Sequence, residues 1–135
     1  MRTLFSFPYL SVYLHEEGPL PTLETHWLGY AASADFRTAV AQVVAAASQY
    51  HVKGWIADDR FLGAVRPRDL EWVEQQVLNV LHLAGLQRFA QLEAEDTLNR
   101  LTIDRMYQQA TLNVDFEFRR FADIDQARAW ASGRA

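Results

Sequence analysis

Six charged residues crowd positions 58–69: Asp58-Asp59-Arg60, then Arg66-Pro67-Arg68-Asp69. Paired carboxylates can serve as acid and base or hold a metal ion. Asp58 and Asp59 follow the apolar run Trp55-Ile56-Ala57, so they fall at the end of a short buried strand. In open α/β sheets that end is where ligands gather. The simpler alternative is that Asp58 pins the following loop while Asp59 pairs with Arg60, since no further ligand accompanies the two acids. Arg60, Arg66 and Arg68 lie in the loop and at the opening of the next helix, a position that suits an anion or an acidic partner. They can equally pair with Asp58, Asp59 and Asp69 as ordinary surface ions.

The remaining chemistry is sparser. His15 and His26 can approach each other across a hairpin with Glu16, Glu17 and Glu24 nearby, but a metal needs at least three converging ligands. His51 falls beyond a helix end, and His82 lies beside an apolar stripe. Glu93, Glu95 and Asp96 follow another strand, so one of the glutamates could join Asp58 in an acid pair if the two strands are parallel. Ser6, Ser11, Ser33, Ser48 and Ser132 occupy no nucleophile elbow. No glycine-rich phosphate cradle is present, and there is no cysteine, which excludes thiolate chemistry and disulfides. No cofactor or metal is called for. Apolar Trp55, Phe61 and Leu62 flank the charged stretch and outline a possible pocket for a small apolar molecule or lipid.

These residues need a scaffold. A length of 135 residues, 50% apolar and 22% charged, suits one globular domain over the whole chain, with its core from 9 to 131. The net charge of −4 argues against a nucleic-acid binder. Met1 to Phe7 has the charge and apolar residues of a signal peptide, but Pro8 and the early acids interrupt it. No apolar run approaches the ~18 residues that span a bilayer. The cytoplasm is the expected compartment.

Periodicity supplies the elements. Tyr9–Glu16 and Leu23–Trp27 alternate as two strands of a hairpin. Ser33 is the expected cap of a helix carrying Phe36, Val40, Val43 and Ala47. Pro67 opens a helix with Leu70, Val73, Val77, Leu81 and Ala84 on one face, stopped by Gly85. A strand at Phe89–Leu92, a helix at 97–110, a strand at Val114–Phe118 and a last helix opened by Asp123 complete the chain. The order β-β-α-β-α-β-α-β-α predicts an α/β fold with a mixed, largely parallel sheet, an N-terminal β-hairpin and about four helices. Phe116, Phe118, Phe121 and Trp130 are expected to pack the last helix onto its strand. The last strand is a candidate edge and hence a possible homodimer contact.

This order, with Trp27-x-Gly29-Tyr30 closing the hairpin, a helix opening at Ser33, Trp55-Ile56-Ala57-Asp58 and the Pro67 helix, resembles STAS domains, the anti-sigma-factor-antagonist-like fold. It looks closest to their stand-alone bacterial members, and the likeness runs from Tyr9 to Ala131. The resemblance implies a non-catalytic interaction module whose charged loop meets a protein partner or a small anion, and kinship of such folds with lipid carriers leaves an apolar small molecule or lipid as the alternative ligand. Signalling STAS domains carry a phosphorylatable Ser or Thr at the start of the helix after this strand. Here that stretch reads Val65-Arg66-Pro67-Arg68-Asp69, and positions 58–69 hold no Ser, Thr or Tyr, so the resemblance does not extend to a phospho-switch.

Overall fold

The computed structural model describes residues 1–134. Its described residues form one mixed sheet in which spatial order follows chain order. Strands β1 (Arg2–Phe7), β2 (Leu10–His15) and β3 (Thr22–Trp27) run antiparallel. Strands β4 (Gly54–Asp58), β5 (Arg88–Leu92) and β6 (Glu117–Arg120) then continue parallel to β3. Helix α1 (Ser33–Gln49) joins β3 to β4, and α4 (Thr97–Ala110) joins β5 to β6. Between β4 and β5, α2 (Pro67–Val73) runs through a π-turn (Glu74–Leu78) into α3 (Asn79–Leu83). Helix α5 (Ile124–Ala131) closes the fold. The expected mixed α/β sheet with its N-terminal hairpin is thus present.

Four expectations need correction. The N-terminal apolar segment is strand β1, so the order begins with three strands rather than two. A β-bulge between Thr3 and Phe5 breaks its alternation, which hid the strand period. Pro8 and Tyr9 form the two-residue turn into β2. Ser33 is the first helical residue and not the cap; Ala32 holds that position, and the Ser33 hydroxyl serves another helix, as described below. The last strand begins at Glu117, after a 3₁₀ turn at Thr111–Asn113. The C-terminal aromatics divide between the two faces of the sheet.

The division follows from strand alternation. Leu10, Val12, Leu23, Trp27, Trp55 and Phe89 face α1, α2 and α4 and build the larger core. Phe116 and Phe118 stack against Phe89 there, with ring centroids 5.7 Å apart. Ile56, Ala90 and Leu92 point to the other face, where Ala127 and Ala131 of α5, with Phe121 and Trp130, form a smaller core. Val77 and Leu78 of the π-turn are both buried.

Helix α5 lies very close to the sheet. A Cβ on Gly54 would fall 2.3 Å from the Ala131 carbonyl oxygen and 2.5 Å from Thr22 Oγ1. The Thr22 hydroxyl itself donates to that same carbonyl at 3.2 Å. Gly54→Ala must therefore displace α5, at a cost of about 1–3 kcal/mol. Urea denaturation should show that loss; a variant as stable as the parent would mean that α5 does not sit this tightly.

Candidate functional site

The sequence candidates meet at the C-terminal ends of the parallel strands. All three parallel crossovers place their helices on one face, and the strand order never reverses, so the rim has no switch-point crevice of the doubly wound kind. The site is instead built from three loops: β3–α1, β4–α2 and β5–α4.

Asp58 and Asp59 are successive residues, so they point to opposite faces of the sheet. Asp58 is buried. Its Oδ1 accepts from Arg60 Nε at 2.9 Å and its Oδ2 from Arg60 Nη2 at 2.8 Å. This two-pronged pair occupies the carboxylate. His26 Nε2 stands 3.8 Å away. Asp59 is 3% exposed and points into the larger core. Burial pushes its pKa up to about 8; a hydrogen bond from Gln91 Nε2 (3.1 Å) opposes the shift, and the charges of Asp58 and Asp104 add to it. Asp59 is therefore largely protonated at neutral pH, and it does not pair with Arg60 as one sequence reading had it.

Asp69 is also consumed. Its Oδ1 accepts from the Ser33 hydroxyl and from Arg37 Nε, both at 2.8 Å. Burial alone would raise its pKa, but these bonds outweigh that and hold it below the usual carboxylate range. The carboxylate thus ties the opening of α1 to that of α2. Arg66 and Arg68 remain exposed and form no ion pair among the described residues. Of the three apolar candidates, Trp55 and Leu62 line an interior cavity, whereas Phe61 is 50% exposed beneath the Arg60 guanidinium.

The residue that organises the rim is one the sequence reading passed over. Asn99 sits in the first turn of α4, placed by the cap in which Asp96 Oδ1 accepts from its N–H at 2.8 Å. Its Nδ2 donates to the carbonyls of Leu62 (2.9 Å) and Gly63 (3.0 Å), and its Oδ1 accepts from Val65 N–H at 3.4 Å. Gly63 N–H donates to Gly29 O at 3.1 Å, with its Cα close against the Tyr30 backbone. Glu95 N–H donates to Arg60 O at 3.0 Å. The three loops are thereby one hydrogen-bonded unit. A buried asparagine early in a helix, where that residue is a poor helix former, was the available signal.

The histidines do not converge. His15 lies opposite Thr22, and His26 opposite Ser11. His15 Nε2 instead contacts Glu24 Oε1 at 2.7 Å, and Arg128 of α5 grips the same carboxylate through Nε (2.8 Å) and Nη2 (3.0 Å). Burial works against the Glu24 charge, but these bonds hold its pKa down at about 2. Among the described residues no three His, Asp or Glu side chains gather as a metal site. Glu93 lies beside Asp104, whose pKa burial and that neighbour raise to about 6 despite Arg120. Asp58 is engaged by Arg60, while Glu93 faces Asp104. Glu93 and Glu95 instead line an open cleft of about 430 Å³ with Arg60, Arg100 and Arg120, so its charges nearly balance.

No protein-family model matches the sequence, and no curated protein matches it. A solved structure does match: an uncharacterized protein of the DUF3478 family with a SpoIIAA-like fold, from Shewanella loihica PV-4. It covers 95% of this chain and 98% of its own, with a TM-score of 0.61 and 16% identity. The chain therefore has a SpoIIAA-like fold, the class that the STAS resemblance implied. No helix among the described residues is long and apolar enough to cross a membrane.

The buried acids set the pH response. Asp59 binds a proton in the folded chain that it releases on unfolding, because its folded pKa lies above the ordinary 3.8. Its contribution to stability is full below about pH 4 and is lost as pH rises to about 8. Glu24 acts in the opposite sense: its contribution is present above the ordinary 4.5 and is lost as pH falls toward 2. Asp59→Asn keeps an acceptor for Gln91 and removes the ionisation. Denaturation across pH 4–8 should show a flatter profile and a variant more stable than the parent at pH 8. An unchanged slope would contradict the buried, protonated Asp59.

Proposed function

We propose that this chain is a non-catalytic STAS-like interaction module whose docking surface is the stapled rim of three loops. The observation that carries the reading is what this rim presents. Leu28 and Tyr30 from the first loop, Phe61 from the second and Leu98 beside the third are all exposed, Leu98 to 75%. They stand on backbone fixed by Asn99 and Gly63, and the exposed Arg66 and Arg68 add positive charge. Exposed apolar groups on pre-ordered loops lose little entropy on binding, and arginines with aromatics are the residues that dominate interfaces. The partner that fits is a protein surface with apolar side chains among acidic ones.

The carboxylates support a non-catalytic role because their lone pairs are spent inside the molecule: Asp58 on Arg60, Asp69 on Arg37 and Ser33, and Glu24 on His15 and Arg128. The second loop lacks a hydroxyl for phosphorylation. In this reading affinity is set by Phe61, Arg66 and Arg68 without a phosphate switch.

The test uses residues whose exposure makes their replacement harmless to folding. The protein, immobilised, is presented with lysate of its source cells, and captured proteins are quantified by mass spectrometry. Phe61→Ser and the double variant Arg66→Glu/Arg68→Glu should each reduce one captured partner at least tenfold. Leu83→Ser, also exposed but on α3 away from the three loops, should leave it unchanged. Equal capture by all variants would overturn the proposal.

A further inference from the structure

The parallel half of the sheet ends on an open edge. Among the described residues β6 pairs with β5 on one side and with no strand on the other. On the paired side Glu117 N–H donates to Gln87 O and Phe121 N–H to Gln91 O, both at 2.9 Å. Backbone groups of successive strand residues point to alternate sides, so the N–H and C=O of Phe118 and Arg120 face outward. Such a row is a template for a further strand. The opposite edge, β1, is blunted by its bulge between Thr3 and Phe5, whereas the register of β6 is regular throughout.

The side chains of β6 select what can pair there. Arg120 is engaged by its own chain: Nε donates to Gln91 Oε1 at 3.0 Å, and the guanidinium stands 5.2 Å from the Phe118 ring centre. Glu117 and Arg119 point to the other face and are exposed. Arg119 lies 4.9 Å from the Trp130 ring centre, and neither it nor Glu117 has an ion-pair partner among the described residues. Two like strands that pair antiparallel about a two-fold axis at Phe118 set Glu117 opposite Arg119 of the second copy, and Arg119 opposite its Glu117. Opposite charges so placed attract, and like charges repel. Moving the axis by one residue either way sets Glu117 against Glu117 or Arg119 against Arg119. The charges therefore favour one register.

We propose that β6 is a homodimer contact, in which two copies pair antiparallel across Phe118, join their sheets and are held in register by crossed Glu117–Arg119 ion pairs. Phe118 at the axis exchanges its outward N–H and C=O with its own copy. The flanking Glu117–Arg119 pairs then occupy the non-hydrogen-bonded positions, where Cα atoms stand about 4.5 Å apart and side chains are closest. A strand of four residues buries little area, so the dimer is weak and reversible. Its charges set partner and register more than affinity. The edge is separate from the three-loop rim, and either reading can fail without the other.

Sedimentation equilibrium of the intact chain tests it. The parent should show a monomer–dimer equilibrium at concentrations up to about 0.5 mM, as suits a small interface. Glu117→Arg and Arg119→Glu each set like charges across the axis and should weaken the dimer about tenfold or more. The chain carrying both changes restores opposite charges and should dimerise as the parent does. An equimolar mixture of the two single variants should form a heterodimer. Both positions are exposed, and recovery in the double variant separates a lost contact from a lost fold. A parent that stays monomeric at the highest concentration would overturn the proposal, as would a dimer that either single variant leaves unchanged. A double variant that stays monomeric would also overturn it, by showing that Glu117 and Arg119 do not face each other.

Discussion

The loops at the strand ends have no strand neighbours to satisfy their backbone, and one carboxamide, that of Asn99, supplies what is missing. It serves two carbonyls and one N–H of the β4–α2 loop from the first turn of α4. Through Gly63 the same loop is bonded to the start of the first crossover, at Gly29. Buried backbone groups must find partners, so removing the carboxamide would leave several unsatisfied at once. The position of Leu62 to Val65, and with it the shape of the rim, follows from this side chain together with the Gly63–Gly29 and Glu95–Arg60 bonds.

The second constraint is the burial of charge. Among the described residues helix α5 covers the far face of the sheet, and it brings Arg128 to a glutamate on β3 that already contacts His15. Asp58, on the same face, is neutralised by Arg60. On the opposite face Asp59 has no cation in contact among the described residues and is largely protonated at neutral pH, bonded to Gln91, which in turn accepts from Arg120 at 3.0 Å. Each acid is thus assigned by its surroundings: paired where an arginine reaches it, neutral where none does. Carboxylates engaged in this way act as struts, which leaves the exposed aromatics and arginines as the groups able to meet a partner.

Much of the scaffold was legible in the sequence. The alternation of β2 and β3, Pro67 at a helix start, the stop at Gly85 (φ +89°) and the Asp123 cap all report local physics and hold in the structure. Strand β1 was hidden because its bulge breaks the alternation that identifies strands. The site was less legible because it depends on contacts distant in sequence. Asp58 and Asp59 look like a pair, yet the sheet sends them to opposite faces. Asp69 looks like a loop acid, yet it is the anchor for Ser33 and Arg37 some thirty residues earlier. Asn99 gave only a propensity signal, and its role becomes visible once α4 is docked.

That the rim is rigid before any partner arrives is most directly tested by native-state amide hydrogen exchange. The N–H groups of Leu62, Gly63 and Val65 bond to Asp59 O, Gly29 O and Asn99 Oδ1. A pre-ordered rim should protect them within about 1–2 kcal/mol of the sheet amides, with that protection lost in Asn99→Ala while β3–β5 stay protected. Exchange at the rate of an open loop in the parent protein would contradict a pre-formed docking surface.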